Sequence, residues 1–190
     1  MAHVSIIGTG NMGQAIASVV SKGGNTVELF GSADKAQRIT GEIVVLAVPY
    51  PAVAQVIAER GDQLAGKIVV DITNPLNFET FDSLVVPADS SAAAEIAAAL
   101  PQSRVLKAFN TNFAATLASS AVGDVPTTVS IAGDDADAKA LLSGVVSAGG
   151  LRAVDAGPLS RARELEALGF LQLTLAVGEK ISWTGGFALV

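Results

Sequence analysis

Apolar residues along this chain fall into short β-branched runs separated by longer stretches with helical spacing. The runs predict strands at His3–Gly8, Thr26–Phe30, Ile43–Val48, Lys67–Ile72, Arg104–Phe109, Thr127–Ala132 and Leu151–Asp155. The run at His3–Gly8 is nearly continuous rather than alternating, as expected where a parallel sheet is covered on both faces. Between them the spacing predicts a helix over Gly10–Lys22, stopped by Gly23-Gly24, and another over Ala52–Gln63. A third, Ser90–Leu100, is opened by Asp89 and closed by Pro101; a fourth runs from about Asp134 to Ala148, and a last from near Pro158 towards Ile181. Strand–helix alternation of this kind implies β-α-β units: a doubly wound, mostly parallel α/β sheet with a C-terminal helical extension. Only about a dozen residues separate Phe30 from Glu42, too few for a helix, a further strand and their turns, so one sheet edge is expected to be trimmed. Without a repeat, a linker or a break in composition, residues 1–190 read as one domain, with 158–190 closing its site or a dimer interface.

The first strand runs into Gly8-Thr9-Gly10-Asn11-Met12-Gly13, a G-x-G-x-x-G turn that opens the first helix. Gly8 permits the tight turn, Gly10 lets backbone approach a pyrophosphate, and Gly13 lets the helix pack closely on the strand. The unspent amides and the helix dipole at Asn11 and Met12 then face negative charge. This context, a strand before and a helix after, points to dinucleotide binding. An NAD site usually places Asp or Glu at the tip of the second strand, about 20 residues beyond the glycines. Here that tip reads Phe30-Gly31-Ser32-Ala33, and Glu28 lies earlier, inside the strand. Ser32 followed by Lys35 and Arg38 suits a 2′-phosphate, so NADP is the expected cofactor; a solvated turn decorated by two cations is the alternative.

Composition narrows the chemistry. The 12 Lys+Arg against 18 Asp+Glu give a formal charge of −6, which disfavours nucleic acid as a partner. There is no Cys, and His3 is the only His, so metal and thiol or histidine-dependent nucleophilic chemistry has few side chains to draw on. No apolar run approaches the roughly 20 residues needed to span a bilayer, and the N-terminus lacks a targeting pattern; a cytoplasmic protein is expected. No acid–base dyad stands out. Asp71, after a buried strand, is expected to cap backbone amides, and His3 to be structural. The densest charge cluster, Arg161, Arg163, Glu164 and Glu166, reads as a solvated or intersubunit ion-pair face. Leu165–Val177 is apolar on more than one side and should be covered by core or by a second copy.

Further segments carry a resemblance: Leu46-Ala47-Val48-Pro49-Tyr50-Pro51, Asp71-Ile72-Thr73-Asn74-Pro75-Leu76, Lys107-Ala108-Phe109-Asn110-Thr111 and Asp155-Ala156-Gly157-Pro158-Leu159, in that order after the glycine turn. Together they resemble the NADP oxidoreductase family typified by NADPH-dependent reductases of the deazaflavin coenzyme F420. The resemblance implies a Rossmann-type fold with NADP along the carboxyl ends of the strands. It places Ala47, Val48 and Pro49 by the adenosine–pyrophosphate side, Thr73, Asn74 and Pro75 near the nicotinamide ribose, and Asn110, Thr111 and Ala114 near the ring. The family's 2′-phosphate clamp is matched by Ser32 and Lys35, but Ala33 stands where it has arginine, and a bidentate contact is lost. The resemblance further implies a flavin, deazaflavin or quinone acceptor stacked on the nicotinamide, in a cleft closed around Trp183-Thr184-Gly185-Gly186, and a homodimer. Trp183 could equally be a core or interface anchor. Hydride would pass directly between the two rings, with no catalytic side chain assigned. Two other readings are an imine or hydroxy-acid reductase of the pyrroline-carboxylate reductase type, for which the segment after Asp155 is short, and a non-catalytic NADP(H) sensor.

Overall fold

The computed structural model describes all 190 residues. Strand β1 (His3–Ile7) leads through the glycine turn to α1 (Asn11–Lys22), then β2 (Thr26–Phe30), β3 (Ile43–Leu46), α2 (Tyr50–Leu64) and β4 (Ile68–Asp71). After a long irregular segment come α3 (Ala92–Ala99), β5 (Arg104–Lys107), α4 (Ala114–Ser119) and a small hairpin of β6 (Ala121–Val122) and β7 (Val125–Pro126). The chain finishes with β8 (Thr128–Gly133), α5 (Ala136–Ala148), β9 (Arg152–Gly157), a 3₁₀ turn at Leu159–Arg161, α6 (Ala162–Val177) and an irregular tail.

Seven strands form one sheet in the order β2-β1-β3-β4-β5-β8-β9. All neighbours are parallel except β5 and β8, which pair antiparallel. The continuous apolar runs resolve into two faces, as the period of two requires. Val4, Ile6, Ile43, Val45, Ile68, Val70 and Leu106 pack on one side against α1 and α5, through Ile16, Val19, Val20, Leu142 and Val145. Ile7, Val44, Leu46, Val69 and Val105 pack on the other against Val53 and Leu64 of α2, Ile96 of α3 and Leu100. Each such side chain, fully buried, contributes roughly 1.5–3 kcal/mol. The central strands are therefore fixed from both sides, and their carboxyl ends form a rigid rim.

Edge β2 has nothing beyond it: residues 31–42 form turns and no strand, which is the trimming the short Phe30–Glu42 interval implies. Other expectations shift. Helix α3 is capped by Ser91, whose side chain accepts from the Ala94 amide at 3.0 Å, not by Asp89. Helix α2 begins at Tyr50, with Pro51 in the first turn where its missing N–H costs nothing. Strand β5 ends at Lys107, and the last helix stops at Val177, with Gly178 as its C-cap, rather than running to Ile181. Helix α4 and the β6–β7 hairpin are unforeseen elements between β5 and β8. No helix is long and apolar enough to cross a membrane.

Candidate functional site

The glycine turn sits where β1 meets α1, and its geometry explains each glycine. Gly8 has φ 120°, and a Cβ added there would lie 2.0 Å from the Ala47 carbonyl oxygen. A Cβ on Gly13 would lie 2.1 Å from the Gly8 oxygen, so turn, helix and the end of β3 form one closely packed unit. A Cβ on Gly10, by contrast, would meet no protein atom within 4 Å. The backbone is thus sealed on the protein side and open on the other. Gly10 is the N-cap of α1 without a side-chain cap, and the first turn carries no acidic residue. The free amides of Asn11, Met12 and Gly13 and the positive helix end are left for an anion. The turn therefore fits a dinucleotide pyrophosphate.

Two recesses flank this turn. One, of about 350 Å³, lies on the β2 side of the turn and is lined by Ile7, Gly8, Thr9, Phe30, Gly31, Ser32, Lys35, Val48, Ala52, Gln55, Val56, Glu59 and Arg60. Ser32 and Lys35 are thus brought together with the glycine turn, whereas Arg38 lines a separate recess with Asp62 and Lys67. The loop after β2 is tied down by Asp34, whose carboxylate accepts from the Gly31 amide at 2.8 Å and Gln37 Nε2 at 2.7 Å. Glu28 serves the sheet: it accepts from Ser5 Oγ (2.8 Å) and Thr40 Oγ1 (2.6 Å) and lies 3.4 Å from His3 Nε2. Partial burial pushes the Glu28 carboxyl up, but those hydroxyls and His3 prevail and hold it below its ordinary value.

The second recess, of about 410 Å³, joins Asn11 and Met12 of α1 to the ends of β4 and β5. Its walls are Ile72, Asn74, Phe109, Asn110, Asn112, Phe113, Ala114 and Ala115, with Leu173 of α6 and Trp183 of the tail. The Trp183 and Phe113 rings stand 4.9 Å apart, tilted by 52°, and Trp183 remains 51% exposed: it is a wall of the recess. Asn74 and Asn110 clasp one another. Asn74 Nδ2 donates to the Asn110 carbonyl at 2.9 Å, and Asn110 Nδ2 donates to Asn74 Oδ1 at 2.9 Å and the Leu165 carbonyl at 2.8 Å. Gly169 of α6 lies against this clasp, where a Cβ would approach Asn74 Oδ1 to 2.3 Å. Phe109 adopts φ 62° beside the clasp, a strained conformation held by the turn around it. Thr73 and Thr111 are buried beside this recess rather than lining it: the Thr73 amide donates to Asp71 Oδ1 at 2.8 Å, and the Thr111 carbonyl accepts from Gln172 Nε2 at 3.1 Å. The Pro75 carbonyl accepts from the Val85 amide at 2.7 Å, anchoring the segment that follows β4.

Beside the clasp lies a charged cluster that sequence reading missed. Lys107, wholly buried, donates to Asp71 Oδ2 (2.7 Å), the Thr73 carbonyl (2.6 Å) and Glu166 Oε1 (2.8 Å), satisfying all three of its protons. Glu166 also accepts the amides of Ala92 (3.0 Å) and Ala93 (3.3 Å) at the start of α3. Asp71 therefore does cap a backbone amide, but it is equally half of an ion pair. Glu166 does not belong to a solvated ion-pair face; only Arg161 and Glu164 do, at 3.8 Å. Burial pushes the Glu166 carboxyl above its ordinary value, against the pull of Lys107 and the Ala92 amide. The one available signal was Lys107 at the end of an apolar strand, a charge that a doubly covered sheet can hold only with partners. The buried face of α6 is correspondingly polar at Glu166 and Gln172, and Leu171 and Val177 point to solvent instead.

Comparison with known proteins adds four findings. Residues 27–75 match the family model for NADP oxidoreductase, coenzyme F420-dependent. The F420-dependent NADP reductase of Methanocaldococcus jannaschii is 29% identical over 171 residues, spanning 88% of this chain and 76% of that protein. That of Methanothermobacter marburgensis is 31% identical over 150 residues, 76% of this chain and 66% of that one. Among solved structures, a candidate F420-dependent NADP reductase from Arthrobacter sp. FB24 superposes with a TM-score of 0.84 over 100% of both chains, at 24% identity, a likeness of fold.

Proposed function

Because this chain belongs to the family of coenzyme F420-dependent NADP oxidoreductases, and is thereby an NADP-dependent oxidoreductase, we propose that its acceptor is a flat flavin-, deazaflavin- or quinone-like ring bound in the recess walled by Phe113 and Trp183. The observation that carries this reading is the position of that recess. It begins at the open N-terminus of α1, ends at the Asn74–Asn110 clasp, and offers two aromatic faces to a planar partner. A nicotinamide bound there supplies or takes up the hydride at its C4.

The chain's own residues would bind and orient. Gly8, Thr9, Gly10 and Gly13, with the amides of Asn11 and Met12, cradle the pyrophosphate. Ser32 and Lys35 take the 2′-phosphate; Ala47, Val48 and Pro49 flank the adenosine side. Asn74 and Pro75 border the nicotinamide ribose, with Thr73 fixing the turn from behind. Asn110 and Ala114 border the ring, and Thr111 holds α6 across it through Gln172. Leu173 and Trp183 exclude water from one side. No side chain is assigned to proton transfer, since the buried Asp71–Lys107–Glu166 cluster lies outside the lining of the recess. We read residues 1–190 as one cofactor-binding unit in which 158–190 completes the site, and as a cytoplasmic homodimer. Exposed Leu171, Val177, Phe187 and Leu189 on α6 and the tail supply an apolar face for the second copy.

The test is anaerobic turnover of NADPH with F420, FMN, FAD and quinones, alongside calorimetric titration of NADPH. Turnover with at least one ring acceptor, lost in Trp183→Ala with NADPH affinity retained, is expected. NADPH binding with no turnover on any of these acceptors would overturn the ring-acceptor reading.

A further inference from the structure

The ammonium assigned to the 2′-phosphate already has an anion. Lys35 Nζ lies 2.6 Å from Glu59 Oε1, and both residues line the adenosine-side recess with Gly31 and Ser32. The same oxygen accepts from Gln55 Nε2 at 2.8 Å, which leaves Oε2 without a partner in the protein. The hydrogen bond from Lys35, then that from Gln55, hold the Glu59 carboxyl below its ordinary value, so it is charged at neutral pH. The other cation of the recess, Arg60, is 5% exposed and committed: it donates to the Gln37 carbonyl at 3.0 Å and the Asp34 carbonyl at 2.5 Å, and its guanidinium lies 5.3 Å from the centre of the Phe30 ring. Swinging it outwards would give up both of these backbone hydrogen bonds. The recess therefore offers a ligand one adaptable cation and one adaptable anion, already paired.

We propose that Glu59 is a specificity-determining residue, which competes with the 2′-phosphate for Lys35 and so narrows the preference for NADPH over NADH. This rests on reading the recess as the 2′-phosphate site. A phosphate monoester carrying about −1.5 to −2 charge must draw Lys35 away from Glu59 and then lie beside that carboxylate. NADH brings a neutral 2′-hydroxyl and can leave the pair intact. Glu59 thus penalises the phosphorylated cofactor and spares the other, the repulsive half of a specificity device. Ala33 deepens the effect, because the position offers no second cation to outweigh Glu59.

Calorimetric titration of NADPH and NADH into the protein, Glu59→Gln and Lys35→Met tests this without any acceptor. Both positions are partly exposed, and thermal melts confirm that each variant is folded. Glu59→Gln is expected to tighten NADPH about fivefold while leaving NADH unchanged, the scale of one exposed ion pair. Lys35→Met should weaken NADPH alone. If Glu59→Gln leaves NADPH unchanged or weaker while Lys35→Met still weakens it, the competition is overturned and the 2′-phosphate site stands. If Lys35→Met leaves NADPH untouched, the site itself is misplaced and the inference falls with it.

Discussion

The three glycines of the turn make different demands, and substitution separates them. Gly8 and Gly13 are closed by protein atoms, so alanine at either must push Ala47 or the turn itself aside. Gly10 faces open space at an ordinary φ, so Gly10→Ala should fold with a melting temperature close to that of the parent yet bind NADPH at least tenfold more weakly. Calorimetry and a thermal melt on one sample read both quantities; a variant that melts normally and binds normally would falsify the assignment. Tyr50, the only tyrosine, carries a second prediction at this scale. Its hydroxyl donates to Glu95 Oε2, and burial first, then Glu95, push the phenol up to about 12 from 10.0. The folded state thus favours the protonated phenol: the stabilising contribution is intact below pH 10.0 and is lost as pH rises towards about 12. Tyrosinate absorbance should titrate near that higher value, and Glu95→Gln should bring the midpoint down; an ordinary midpoint in the parent would show the pair is absent in solution.

Among the elements, α6 is held to the sheet less by apolar packing than by three polar contacts spaced along one face: Glu166 on Lys107, Gly169 on the asparagine clasp, and Gln172 on the Thr111 carbonyl. Lys107→Met leaves two carboxylates buried without their cation and should cost about 3–5 kcal/mol in urea denaturation, more than Glu166→Gln, which keeps Lys107 bonded to Asp71 and Thr73. Equal losses in the two variants would mean that the cluster is not organised by its lysine. Here sequence and structure part company for an identifiable reason. The parallel strands, α1, α5 and the glycine turn follow from local periodicity, and the short Phe30–Glu42 interval was enough to foretell the trimmed edge. The polar seam was hidden because residues 71, 107 and 166 meet only through tertiary folding. Local reading therefore placed Glu166 among its charged sequence neighbours on the surface. Likewise α4 has six residues and no side-chain cap, too short to leave a periodic trace. Among the candidate site residues, Gly8, Thr9, Asn11 and Met12 after β1 and Asn110 and Ala114 after β5 line the two recesses, whereas Thr111 is buried beside one of them. Arg38 does not join them, because Arg60 pins the intervening loop.

On the scale of the whole molecule, the recess holding Ser32 and Lys35 lies beside edge strand β2, and the recess walled by Phe113 and Trp183 lies between the middle of the sheet and the C-terminal segment. The outer face of α6 leaves Leu171 49% exposed, and the tail adds Phe187 and Leu189. If a second copy covers this face, Leu171→Glu should convert a dimer to a monomer in sedimentation velocity at micromolar concentration and leave NADPH binding intact, because Leu171 lines neither recess. A parent protein that sediments as a monomer throughout would remove the homodimer. The buried seam also imposes an order on assembly. Lys107 and Asp71 leave the ribosome well before Glu166, and the first amides of α3 wait for the same carboxylate. Until α6 emerges, Lys107 has only Asp71 and the Thr73 carbonyl as protein partners, and the start of α3 lacks its anion. The rim at Asn74 and Asn110 therefore gains its cover only once α6 has emerged, and a nascent chain stalled short of Glu166 should offer these unfinished strand ends to chaperones and proteases.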